Sequence, residues 1–293
     1  LIIDLRGNTG GYMEAAIRMV NEFLPEGKLI VYTQGRKYPR AEEFANGTGS
    51  CQKMPLVVLI DEGSASASEI YSAAIQDYGR GIIIGSTTTG KGTAQVQLDS
   101  LAYGQATLTQ RKFYRITGGS TQNKGVIPDI KLVDIWNDQF GERKAKNALK
   151  WDTIQTAPFK REGVIKPYLP DLEKLSTQRV KQDPQFTYLE TRRALAKKTD
   201  DEKRLSLDLD QRKKELDTLE NQTLDAENLR RQETGLKPYA NWSSYQASLD
   251  ALSETRAKMK ANARPALPED EAFVTEAANV LLDYAKLQNQ AQH

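Results

Sequence analysis

Two uninterrupted apolar runs constrain this chain most: PLVVLID at 55–61 and GIIIG at 81–85. A strand with one wet face alternates apolar and polar residues, whereas a continuous run is buried on both faces. Helices must therefore cover both sides of the sheet that holds these runs. The intervening EIYSAAIQDYG predicts the connecting helix, ending at Gly79. LIIDL (1–5) is a third short apolar run. Between Tyr12 and Leu24, Met13, Ala16, Met19, Val20 and Phe23 recur at helical spacing until Pro25-Glu26-Gly27 stops them. KLIVYT (28–33), AQVQL, ATLTQRKFYRI and a short edge near IPDIKLV predict further strands. The alternation of strand and helix over residues 1–135 predicts an α/β domain with a central sheet flanked by helices.

After about Trp136 the composition shifts to more charge and no long apolar runs, and residues 136–293 read as a mainly α-helical second domain. Helices are predicted over Asp171–Lys181, from the cap pair Asp183-Pro184, over Gln211–Arg231 and over Glu269–Leu287. LSLDLDQ (205–211) alternates and predicts one strand.

Two scarcities bound the chemistry. Cys51 is the single cysteine, so neither an intrachain disulfide nor a cysteine-built zinc site is available. His293, the last residue, is the single histidine. A Ser-His-Asp triad, a Cys-His dyad and an HExxH metal site are thereby ruled out, and nucleophilic chemistry needs another base. A net charge of +2 gives no warrant for nucleic-acid binding, and no run reaches the length of a membrane span.

Three segments could carry chemistry. DEGSASASEI (61–70) lies between a buried strand and a helix, where ligands collect in open α/β sheets. Its Ser64, Ser66 and Ser68 are either first-turn residues or include a nucleophile at a helix N-terminus. GSTTTGKGTAQ (85–95) nearly spells a phosphate loop, with Gly85, Gly90 and Lys91 in place. Gly92, however, stands where a hydroxyl should hold magnesium, and the following TAQVQL reads as a strand where a phosphate loop opens a helix. The other role for Lys91 is as a base. A lysine titrates at about 10.4 in water, and burial lowers that value because the charged form loses solvation. A neutral amine can then take a serine proton. Gln95, four residues on, could orient it. RGNTGG (6–11) offers unobstructed backbone N–H groups of the kind that form oxyanion holes.

Together DLRGNTGG (4–11), SASASE (64–69), GSTTTGKGTAQ (85–95) and YRITGGSTQNKGVIPD (114–129) resemble, in order and spacing, the blocks of the tail-specific proteases, or C-terminal processing peptidases. The resemblance implies a ClpP/crotonase-like core and a serine endopeptidase that needs no cofactor or metal. It puts the nucleophile on Ser66, the base on Lys91 and the orienting group on Gln95. It puts the oxyanion hole on the Ala67 N–H with that of Gly10, in preference to Gly11. Thr9 departs from the proline common in the family, in a turn where little should follow. The second half is similar to the C-terminal extension of the long periplasmic branch. The resemblance further implies polypeptide substrates with free, apolar C-termini, an adaptor protein, a periplasmic location, and an N-terminal helical region and PDZ domain upstream of Leu1. The competing readings are a nucleotide-binding protein built on the 85–92 loop and an inactive scaffold whose helical half binds a partner.

Overall fold

The computed structural model describes residues 1–98, 101–133, 141–156, 158–161, 163–259 and 268–290. These fall into two compact units: residues 1–133, 141–176 and 277–290, and residues 177–259 and 268–276.

In the first unit, β1 (Ile2–Asp4), β4 (Val57–Ile60), β5 (Ile82–Gly85) and β8 (Ile130–Lys131) form a parallel sheet in the order β1-β4-β5-β8. Every residue of β4 and β5 is buried, as their unbroken apolar sequence requires. The connecting α2 (Ala67–Asp77) is buried along its length except at Gln76, which its small Ala and Ser residues permit. The more amphipathic α1 (Met13–Asn21) buries Ala16 and Val20. The remaining strands make a second, antiparallel sheet of order β3-β2-β7-β6: β2 (Leu29–Gly35), β3 (Tyr38–Phe44), β6 (Thr93–Leu98) and β7 (Ala106–Tyr114). The strands thus divide between two sheets. β3, too polar to stand out in the sequence, pairs as a hairpin with β2. Val20, Leu24, Tyr32, Val58, Ile60, Ile75, Tyr78 and Ile83 lie at the centre of one continuous core.

The parallel sheet positions the site. β1, β4 and β5 are neighbours, so the loops leaving their carboxyl ends lie side by side. Those loops are 5–12, 61–66 and 86–92, the three segments singled out above.

The second unit is helical, with α4 (Pro184–Asp201), α5 (Leu209–Glu233) and α6 (Trp242–Lys258); α3 (Leu169–Gln182) and α7 (Pro268–Gln290) contribute to both units. Asp183 caps α4 by accepting from the Gln185 N–H, and Asp208 caps α5 by accepting from Gln211. The strand predicted at LSLDLDQ is absent: residues 203–208 are irregular and Leu209 already begins α5. Alternation makes a strand only where a partner edge exists, and this unit has no strand among its described residues; Leu205, Leu207 and Leu209 stay exposed. Phe186, Leu189, Leu224, Tyr245 and Phe273 supply its core, beside a buried Arg230–Glu227 ion pair. No helix among the described residues is long and apolar enough to cross a membrane.

Candidate active site

The three serines of the β4–α2 turn have different fates. The Ser64 hydroxyl is buried and donates to the Leu5 carbonyl at 2.7 Å, while accepting from the Asp61 N–H. The Ser68 hydroxyl donates to Asn8, whose carbonyl and side-chain oxygen each lie 3.0 Å away. Both therefore stitch this turn to the glycine turn after β1. Ser66 carries neither tether and is partly exposed. Its backbone sits at φ 57°, ψ −113°, at the N-cap of α2. Such a conformation costs a non-glycine residue about 1–3 kcal/mol and persists only where surrounding structure enforces it.

The enforcing group is Glu69, fully buried and three residues on. Its Oε2 accepts from the Ser66 N–H at 2.8 Å and from the Lys91 N–H at 2.9 Å. Its Oε1 accepts from the Thr88 hydroxyl at 2.5 Å and from the Gly90 N–H at 2.8 Å. One carboxyl group thus ties the serine turn to the lysine loop through four donors. Burial raises its pKa above the ordinary carboxylate range, against hydrogen bonds that favour the ionised form. The arrangement also bears on nucleotide binding. The amides of Gly90 and Lys91, which a phosphate loop would aim at its ligand, already hold this internal carboxyl. Gly92 is pressed against the backbone of Gln122, where an added Cβ would lie 2.3 Å from the Gln122 nitrogen. A strand, β6, follows.

The glycine turn supplies the other wall. Asn8 fixes it, since its side-chain oxygen accepts from the Gly10 N–H at 2.9 Å and its carbonyl accepts from the Ala65 N–H at 3.0 Å. Gly10 (φ +87°) packs so closely on the serine turn that a Cβ there would lie 2.5 Å from the Ala65 oxygen and 2.7 Å from the Ala67 nitrogen. Among the described residues the amides of Ala67 and Gly11 are without an acceptor, while the Gly10 amide is held by Asn8. Gly10→Ala is expected to destabilise the fold by about 1–3 kcal/mol, because a side chain at this positive φ would meet the Ala65 and Ala67 backbone. Denaturant titration would check it; unchanged stability would mean the turn can yield without harm.

Lys91 is partly buried beside Glu69, and its backbone is held as described. Gln95 is exposed on β6, and its amide donates to the Thr109 hydroxyl at 3.2 Å. Ser66, Ala67, Lys91 and Gly10 thus gather around Glu69 and Asn8, while the Gln95 side chain engages the neighbouring strand. Glu69 and Asn8 were not singled out from sequence. The Ser66-x-x-Glu69 spacing is a capping-box signature and could have found Glu69; nothing local marks Asn8 beyond its place in a glycine-rich turn. Arg6 braces its turn through Asp4, donating from Nε at 2.9 Å and from Nη2 at 2.6 Å. Cys51 is a half-buried loop residue packed on the core. His293 lies outside the described residues.

The fold and site define a class by their layout: a mixed α/β unit with a strained serine at a helix N-terminus and a lysine loop alongside. Comparison with known proteins names the family. Residues 1–132 match peptidase family S41, and residues 135–286 match the C-terminal domain of tail specific protease. The chain belongs to the tail-specific proteases of that family. It is 38% identical over 230 residues to the tail-specific protease of Haemophilus influenzae, covering 74% of this chain and 33% of that protein. It is 41% identical over 130 residues to the carboxy-terminal-processing protease of Bartonella bacilliformis, covering 44% and 30%. Among solved structures, the photosystem II D1 C-terminal processing protease matches at 32% identity and a TM-score of 0.42, over 46% of this chain and 34% of that one. The chain spans about a third of the length of these curated relatives.

Proposed function

We propose that this chain carries the catalytic centre of a serine endopeptidase in which Ser66 is the nucleophile and Lys91 the general base. The observation that supports it most is the Ser66 backbone, held at φ 57° at the N-cap of α2 while the hydroxyls of both neighbouring serines are spent on the glycine turn. Strain of this kind marks positions that surrounding structure maintains for use.

In this reading neutral Lys91 takes the Ser66 proton as the oxygen attacks the scissile carbonyl. The resulting oxyanion lies against the Ala67 N–H and the glycine turn, at the positive end of the α2 dipole. The lysine ammonium then protonates the leaving amine as the C–N bond breaks. Water, deprotonated by the same amine, releases the acyl group and restores the hydroxyl. Gln95 orients the Lys91 amine in this scheme, which requires its side chain to leave Thr109 when substrate binds. The chemistry needs only protein groups and water. The substrates are polypeptides in extended form, recognised by free apolar C-termini through a PDZ domain of the longer protein, with an adaptor where delivery requires one. The family likeness supports a periplasmic setting.

A fluorophosphonate probe tests the centre without peptide recognition. It is expected to label Ser66 alone, located by peptide mass spectrometry. Labelling should be lost in Lys91→Ala. Labelling at another residue, or labelling undiminished in Lys91→Ala, would remove the Ser66–Lys91 assignment.

A further inference from the structure

The lysine loop is held from outside by residues beyond the peptidase match. A short 3-10 turn, Glu142–Lys144, lies within the residues matched to the C-terminal domain. Its Glu142 N–H donates to the Thr89 carbonyl at 2.9 Å. Arg143 donates from Nη1 to the Thr88 carbonyl at 3.2 Å, and its Nη2 forms an ion pair with Glu62. Glu62 is 4% exposed and stands four residues before Ser66; Thr88 stands three before Lys91. Arg143 therefore bridges the two loops that carry the proposed nucleophile and base. Gln122, fully buried, completes a second bridge: its Oε1 accepts from the Gly92 N–H, and its Nε2 donates to Glu142 Oε1, each at 2.9 Å. Close approach is built in at Gly141 (φ +97°), where a Cβ would lie 3.0 Å from Glu62 Oε1.

We infer that residues 141–143 form a strap, fastened through Glu62 and Gln122, that holds the Lys91 loop in register with Ser66. The first residues of the C-terminal module are thus positioning residues of the catalytic centre. This rests on the reading of Lys91 as the base. The physical reason is that a loop of glycines and threonines has little side-chain packing of its own. Its order comes from hydrogen bonds: to Glu69, to the Ser64 and Glu62 carbonyls and with Val126 and Asn123 within the peptidase match, and to the strap and Gln122 beside them. A carboxylate as well buried as Glu62 also demands its cation, so removing Arg143 leaves an uncompensated charge beside the serine turn.

A swap of partners in the full-length enzyme tests the inference. Gln122→Glu keeps the acceptor for Gly92 but sets two carboxylates against each other, pushing the strap off. Its kcat on a peptide substrate is expected to fall by roughly ten- to a hundredfold with KM within twofold of wild type. The double variant Gln122→Glu with Glu142→Gln restores a donor at residue 142 and is expected to regain most of that loss. A purely structural defect has no reason to split kcat from KM in this way and then be rescued. A Gln122→Glu enzyme as active as wild type, or a double variant no better than the single, overturns the strap. Should Gln122→Glu fail to fold by circular dichroism, Arg143→Lys and Arg143→Met give the same reading: the lysine variant, which keeps the ion pair, must retain the higher kcat. Equal kcat in the two counts against the strap. Lys91→Ala is run alongside. A dead Lys91→Ala with a fully active Gln122→Glu sinks the strap alone, whereas a fully active Lys91→Ala sinks the base assignment beneath it.

Discussion

Ser66→Ala and Lys91→Ala are each expected to lower kcat/KM by roughly 10⁴- to 10⁶-fold, the loss seen when one member of a nucleophile–base unit is removed. The two changes together should cost little more than either, because in the proposed mechanism the groups act in a single proton transfer. Neither should unfold the chain. The serine turn is held by the Ser66 amide, the Ser64 and Ser68 hydroxyls and Glu69, none of which is altered. The lysine loop is held by its backbone amides, which alanine keeps. The assay is cleavage of an unfolded protein with a free apolar C-terminus, with the remainder of the protease supplied or fused. Activity retained in either variant would point to another nucleophile or a contaminant.

Glu69→Gln, a change of one oxygen to NH₂, is expected to lower both stability and activity. The carboxyl accepts from two donors on each oxygen. Glutamine keeps one acceptor oxygen and turns an amide toward two N–H or O–H donors, leaving buried donors unmatched. At about 1–3 kcal/mol per unsatisfied group, the loss of stability is roughly 2–6 kcal/mol. The same change frees the serine turn and the lysine loop from each other, so activity should fall by more than a hundredfold in whatever remains folded. The sign of the pH dependence follows from burial. The raised Glu69 pKa means that the folded state binds its proton more tightly than the unfolded one. That contribution is complete below the ordinary glutamate range and is lost as pH rises through the raised value. The stability gap between wild type and Glu69→Gln should therefore narrow on going from acid to neutral pH. Denaturant titrations at several pH values measure it; a gap that widens instead would mean that the ionised form is the favoured one.

Much of this fold is legible in the sequence because its signals are local. A short apolar run rich in β-branched residues and bounded by Gly or Pro reads as a doubly covered strand, and PLVVLID and GIIIG became β4 and β5. Asp183-Pro184 opened α4 as a cap and first-turn pair should. Legibility failed where a signal depended on a distant partner. LSLDLDQ has strand periodicity but no edge to join, and β3 has an edge to join but little apolar signal. α6 is capped by Asn241 and buries only Tyr245, too sparse a stripe to read as a helix.

The sequence by itself determined the chemistry on offer. One histidine at the last position and one cysteine exclude the histidine-based dyads and triads, and four ordered blocks mark the chain as a tail-specific protease, the likeness on which the proposed roles of Ser66 and Lys91 rest. Only the tertiary structure decided how those residues are held: Glu69 as the shared anchor of two loops, Asn8 taking the Gly10 amide, Gln95 resting on Thr109, and Arg143 reaching back across the lysine loop. The reason is hydrogen-bond competition. Which donor stays free at a site depends on which neighbours have already taken the others. Those neighbours were brought together by the order of strands in a sheet, which spacing along the chain does not encode.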